Sequence, residues 1–154
     1  MDIGFFLPSD AIITTCTALS RKQVLQEVAK QAARITSLGD REVLHALMER
    51  ERLGSTAMGG GIAIPHARFA ELSRLYAIFV RLPVPVDFDA PDGKPVDLMF
   101  ALLAPAEGNA DHLRAMARVS RLLRNSHSCG KIRQAVTAEV IYNLLTAEDE
   151  ERDS

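Results

Sequence analysis

Two short apolar runs, Leu75–Leu82 and Val96–Leu103, are each followed closely by proline. Runs of this kind read as strands buried on both faces, and such strands need helices to cover them. The chain supplies several. Ser20 followed by Gln23 fits a capping box, and Val24, Leu25, Val28, Ala29, Ala32 and Ile35 recur at helical spacing, predicting a helix of about 15 residues. Gly39 ends it. Asp40 can cap a second helix with Val43, Leu44, Leu47 and Met48 inward, fraying near Gly54 and leaving Glu49–Arg52 at its end. Ile62–Ile64 reads as a further strand, Ala11–Thr15 as an optional extra one, and Pro83–Pro95 as a turn-rich connection. Asp111 can cap a long helix with Leu113, Met116, Ala117 and Leu123 on its core side, and Val140, Ile141, Leu144 and Leu145 mark a last amphipathic helix. The expected architecture is α/β, a small mixed β-sheet flanked by helices on both faces, in a single domain spanning 1–154 with a frayed acidic tail at 148–154.

Several function classes drop out on composition. Hydrophobic residues make up 47% and charged residues 25%, enough apolar material for one core and unlike a disordered chain. The longest apolar run, Leu98–Ala104, has seven residues, whereas a helix that crosses a bilayer needs about 20. No membrane insertion is expected. The N-terminal stretch carries Asp2, no basic cluster, and Pro8 after its short apolar patch, so no secretory signal is read and a cytoplasmic location is expected. Cys16 and Cys129 lie far apart without a CxxC pattern, which points to reduced thiols rather than a disulfide or thiolate metal site. A net charge of −2 gives no reason to expect nucleic acid as a partner.

The segment Arg50–Arg68 carries the chemistry. Gly59, Gly60 and Gly61 remove three consecutive Cβ atoms, so that backbone or ligand can approach closely. Pro65 then forces Ile64 into an extended conformation and presents His66 rigidly at the exit of a strand. A neutral imidazole is available near neutral pH to attack phosphorus, and the product is a phosphohistidine. A lone histidine after a tight turn is more often an ordinary surface residue. The glycines do not form GxxxxGK[ST] or a GxGxxG that opens a helix, so nucleotide binding is disfavoured. No HxxxH or HExxH spacing links the four histidines, so zinc catalysis is a poor explanation, and no metal or cofactor is expected.

Arg50–Glu51, Gly54–Ser55–Thr56 and above all Gly61–Ile62–Ala63–Ile64–Pro65–His66 resemble the enzyme IIA proteins of the phosphoenolpyruvate-dependent phosphotransferase system, mannitol and fructose branch. Val86–Asp87–Phe88–Asp89, Pro95–Val96–Asp97–Leu98, Phe100–Ala101–Leu102–Leu103 and His112–Leu113 extend the resemblance to the nitrogen-regulatory members of that family. Gly60 and Ala67 depart from it, standing where many relatives have asparagine and glycine. The resemblance implies the family's sandwich fold, His66 as the phosphorylated nucleophile, His112 as a second histidine that orients the phosphoryl group, and Arg50 as the charge that stabilises it. It implies a histidine phosphocarrier protein as donor. It also implies a nitrogen or metabolic regulatory role acting on targets such as kinases or potassium transport components. The alternative is a sugar-specific IIA subunit that passes phosphate to a IIB domain.

Read without the resemblance, these residues leave more open. Arg50 suits transfer, because a guanidinium offers a permanently charged fork to phosphoryl oxygens. By spacing alone the preferred reading is a solvated helix-end arginine paired with Glu49 or Glu51. His112 in a first helical turn reads evenly as an exposed residue or as an imidazole held neutral beside an anion. Ser55 and Thr56 brace the loop or touch phosphate; His45 reads as helix surface and His127 as loop. Arg114, Arg118, Arg121 and Arg124 recur near one helix face, with Lys131 and Arg133 beyond, a basic rim for steering a partner that the acidic stretch Asp87–Asp111 offsets.

Overall fold

The computed structural model describes residues 2–107 and 110–147. The tail at 148–154 lies outside them. After a single 3-10 turn at Ile3–Phe5, the elements are β1 (Ile12–Ile13), α1 (Arg21–Ile35), α2 (Asp40–Leu53), β2 (Ala57–Gly59), β3 (Ile62–Ala63) and β4 (His66–Phe69). Then come β5 (Tyr76–Val86), β6 (Val96–Pro105), α3 (Ala110–Arg124), α4 (Ser126–Gln134) and α5 (Ala138–Thr146). The sheet is mixed. Its order is β1-β5-β6-β3-β2, with β4 also on β6; β5 runs antiparallel to β6, while β1, β3 and β4 each run parallel to their neighbours β5, β6 and β6.

Why the centre of the sheet is enclosed follows from strand geometry. Successive strand residues face opposite sides, yet Ala77–Val80 and Leu98–Ala104 are buried without a gap. Both faces are therefore covered. Against the sheet pack α1 on β5, α2 on β4, α3 on β6 and α5 on β1. The Ser20 cap forms, its Oγ accepting from Gln23 N at 3.2 Å, while Gln23 Oε1 accepts from Leu19 N at 2.9 Å, one residue before the position a capping box uses.

Several local expectations are corrected. Gly39, not Asp40, caps α2; Asp40 is the first helical residue and accepts from Arg41 N at 2.8 Å. Strand β5 continues through Pro83 and Pro85 to pair Val86 with Val96, the register slipping after Arg81, so the turn-rich segment begins later than expected. An irregular ladder tolerates proline because there its missing N–H breaks no regular bond. The segment read as loop around His127 is helix α4, capped by Asn125 Oδ1 accepting from Ser128 N at 3.0 Å. On α3 the expected core side holds only in part: Leu123 is buried and Met116 packs partly buried against the core, while Ala117 is exposed. Leu113 is 68% exposed, while the inward stripe is His112, Ala115, Val119, Leu122 and Leu123.

His66 is not at a strand's exit. β3 pairs Ile62 with Leu98 and Ala63 with Met99; β4 pairs His66 with Leu102 and continues to Phe69 and Pro105 in unchanged register. The two are one line along β6, interrupted where Pro65 has no N–H to give. Its carbonyl still accepts from Leu102 N at 2.8 Å, so the line stays fastened across the break. His66 opens the second half, next to the central strand.

Candidate functional site

The last turn of α2 separates two neighbouring charges. Successive residues on a helix point about 100° apart, and here Arg50 faces the site while Glu51 turns inward, only 4% exposed. Glu51 is occupied there: Thr56 Oγ1 donates to Oε1 in a very short hydrogen bond, Thr56 N approaches at 3.3 Å, and Arg21 Nη1 lies 3.4 Å away. Glu49 pairs with Arg52 at 2.9 Å. Neither acid is left to pair with Arg50. Instead Gly54, at φ +154°, ends the helix, and its carbonyl accepts from Arg50 Nη1 at 2.8 Å. That bond folds the guanidinium back along the helix end. Nε is then free to donate to His66 Nε2 at 3.2 Å. Ser55 Oγ donates to Phe88 O at 2.5 Å and accepts from Ala57 N at 3.1 Å, so both hydroxyls brace the loop.

His66 is half-buried, and its protonation pattern follows from its partners. Nδ1 lies 3.0 Å from the Ile64 carbonyl, which can only accept; Nδ1 therefore carries the proton. Nε2 is left as a neutral lone pair facing Arg50, the nitrogen able to act as nucleophile. The glycines upstream serve a stereochemical purpose. Gly61 sits at φ +83°, and a Cβ there would fall 2.8 Å from both Arg133 Nη2 and Asp97 Oδ1. Arg133 holds Asp97 through bonds of 2.8 and 2.9 Å and donates to Gly60 O at 2.9 Å, while Gly60 N donates to Asp92 Oδ2 at 2.9 Å. The backbone bond from Gly60 holds the Asp92 carboxyl below the usual carboxylate range. This clasp fixes the turn that enters β3. Sequence reasoning gave Asp92, Asp97 and Arg133 no such role, because the partners are distant in the chain and nothing local marks them.

His112 completes the cluster. Its ring centroid is 6.0 Å from that of His66, tilted by 55°. At 7% exposure it is buried, which removes the exposed reading. Burial pushes its pKa down, with smaller electrostatic contributions from Arg68 and from His66 whenever that ring is protonated. The shift is in the direction expected from the helix start, but its main cause is desolvation. Nδ1 of His112 is buried without a hydrogen-bond partner. Asp111 lies inside the first turn of α3 rather than before it and pairs with Arg114 at 3.5 Å. The arginine face is also divided: Arg118 is 6% exposed, its stem packed beside the inward stripe, and Arg133 is committed to Asp97. Arg114, Arg121 and Arg124 remain outward. His45 and His127 are exposed. Among the described residues no cluster of three or more His, Cys, Asp or Glu side chains is placed to hold a metal ion.

The site thus offers a lone-pair nitrogen, a guanidinium bonded to it, and a second imidazole whose ring centroid is 6.0 Å away. Residues 5–148 match the family model described as phosphoenolpyruvate-dependent sugar phosphotransferase system, EIIA 2. The chain belongs to this family. It is 44% identical over 145 residues to a nitrogen regulatory protein of Bradyrhizobium diazoefficiens, covering 94% of this chain and 95% of that one. To the nitrogen regulatory protein of Escherichia coli it is 40% identical, covering 82% and 78%. The crystal structure of the nitrogen regulatory protein IIA-Ntr from Neisseria meningitidis superposes with a TM-score of 0.88 at 35% identity, over 94% of this chain and 99% of that one. IIA mannitol from E. coli shares the fold, with a TM-score of 0.74 at 18% identity over 90% and 97%. The sandwich expected of an EIIA protein is the one observed.

Proposed function

We propose that this EIIA protein is a phosphohistidine carrier: His66 accepts a phosphoryl group from a histidine phosphocarrier protein, and the chain acts as a nitrogen regulatory IIA protein in the cytoplasm. The observation that carries the reading is the arrangement of His66, with Nδ1–H on a backbone carbonyl and Nε2 facing Arg50 at 3.2 Å. In the transfer step the Nε2 lone pair attacks the donor's phosphorus. A new N–P bond forms, the donor's N–P bond breaks, and its electron pair returns to the donor imidazole. The Nδ1 proton stays in place. Once the lone pair is used, Arg50 turns its N–H groups to the phosphoryl oxygens, where positive charge stabilises a transition state with charge spread over them. His112, neutral and close, donates one hydrogen bond to the same group and orients it.

A carrier must dock. Leu53, 85% exposed at the end of α2 just past Arg50, and Leu113, 68% exposed next to His112, are assigned to the surface that the partner covers. Phosphorylation then adds about −1.5 to −2 charges, by analogy with other phosphorylated side chains. Regulatory targets, such as kinases or potassium transport components, read that change. The overall similarity to nitrogen regulatory proteins favours this reading over a sugar-specific subunit, which would instead deliver its phosphoryl group to a IIB domain. The deciding experiment mixes the chain with a phosphoenolpyruvate-charged carrier cascade and follows acid-labile label. His66→Ala is expected to take up none, and His112→Ala to take it up slowly. Label on His66→Ala equal to the wild type overturns the proposal.

A further inference from the structure

Beside His112, and not lined by His66 or Arg50, the fold leaves a cleft of about 580 Å³. That volume lies within the range of about 300–1,000 Å³ typical of small-molecule sites. Its walls differ in character. Phe5, Phe6 and Leu75 supply apolar surface, while Arg74 and Arg114 supply two guanidiniums. The cleft is also built in advance. Arg74 Nη2 donates to the Phe5 carbonyl at 3.0 Å, tying the N-terminal 3-10 turn to the start of β5, and its guanidinium lies over the Tyr76 ring at 5.1 Å. Phe5 is nevertheless 69% exposed, an aromatic ring that the core does not need.

The charge balance selects the ligand. Among the described lining residues the two guanidiniums face one carboxylate, Asp111, which lies 3.5 Å from Arg114, so these side chains leave one positive charge in excess. Each guanidinium carries five N–H donors, more than these contacts use. His112 forms part of the wall and brings an imidazole edge to the same cleft. We propose that this cleft binds a small monocarboxylate with an apolar body, its carboxylate held by Arg74 and Arg114 and its body laid on Phe5 and Leu75. Such a ligand touches the wall that contains His112, so it couples to phosphoryl transfer; that consequence rests on the function proposed above, whereas binding itself does not.

The test is an NMR titration of the isotope-labelled full chain with benzoate, benzyl alcohol and inorganic phosphate. Benzoate is expected to give saturable shifts at Phe5, Arg74 and His112, with affinity at least tenfold above that for benzyl alcohol and for phosphate at the same residues. Arg74→Gln and, on an exposed helix face, Arg114→Gln are each expected to weaken benzoate at least fivefold. Absence of saturable shifts, equal affinity for benzyl alcohol or phosphate, or full benzoate affinity in a folded Arg114→Gln chain overturns the proposal. A failed titration leaves the labelling of His66 untouched, and a failed labelling leaves the titration untouched.

Discussion

Replacing Gly61 by alanine tests whether the glycine turn is a matter of stereochemistry. The residue sits at φ +83°, and its new Cβ would lie 2.8 Å from Arg133 Nη2 and 2.8 Å from Asp97 Oδ1. A side chain in the left-handed region costs about 1–2 kcal/mol. The clash must also displace the Arg133–Asp97 pair, which is partly exposed, so its loss adds only about 1 kcal/mol. Gly61→Ala should therefore destabilise by about 2–3 kcal/mol, and at about 2–4 °C per kcal/mol the melting temperature falls by roughly 4–12 °C. Gly60→Ala provides the control. Its φ is +66° but nothing stands within 4 Å of the new Cβ, so only the conformational cost of about 1–2 kcal/mol applies. In an Arg133→Ala background the clash is half relieved and the pair is already gone, so the two substitutions should cost about 1 kcal/mol less together than their sum. Thermal and urea unfolding of the four chains measure this. Equal losses for Gly60→Ala and Gly61→Ala, or strict additivity with Arg133→Ala, would refute the reasoning.

Three further outcomes are expected. Arg50→Gln, which removes the N–H directed at His66 Nε2, should slow single-turnover uptake of phosphoryl label by about 10²–10³ without abolishing it; an unchanged rate contradicts the assigned role. The His112 imidazole, observed by NMR, should titrate below the ordinary histidine value of about 6.5. Since the unfolded chain then binds the proton more readily, stability should fall as pH drops through that value toward the depressed one, and His112→Gln should flatten this acid-side slope in urea unfolding. Thr56→Val strips the hydroxyl from buried Glu51 and should cost about 1–3 kcal/mol in thermal unfolding, most of it restored in Thr56→Ser.

Much of this was legible in the chain because the signals were local. The Ser20 cap, the stop at Gly54 and the two apolar runs each correspond to an element seen in the fold. The pairing of Arg50 with His66 came only from resemblance, since spacing alone favoured a solvated arginine. What misled was helix α3, where the inward positions nearest the site are held by His112 and Ala115 while Leu113 faces water. A hydrophobic pattern read there mixes the exposed Leu113 with the inward Leu123. The β4 strand was hidden by Pro65, whose missing N–H resembles an ending although the ladder resumes one residue later. The clasp of Asp92, Asp97 and Arg133 has no local signature at all, being assembled from β6, α4 and the loop between β5 and β6.

The oxygen that chooses between the two ring forms of His66 belongs to the main chain of Ile64. Changing the residue at 64 leaves a carbonyl at that position, so the choice is insulated from mutation in a way that an aspartate or asparagine partner would not be. Side-chain variation can therefore act on the other nitrogen from the opposite side, where Arg50 donates to it.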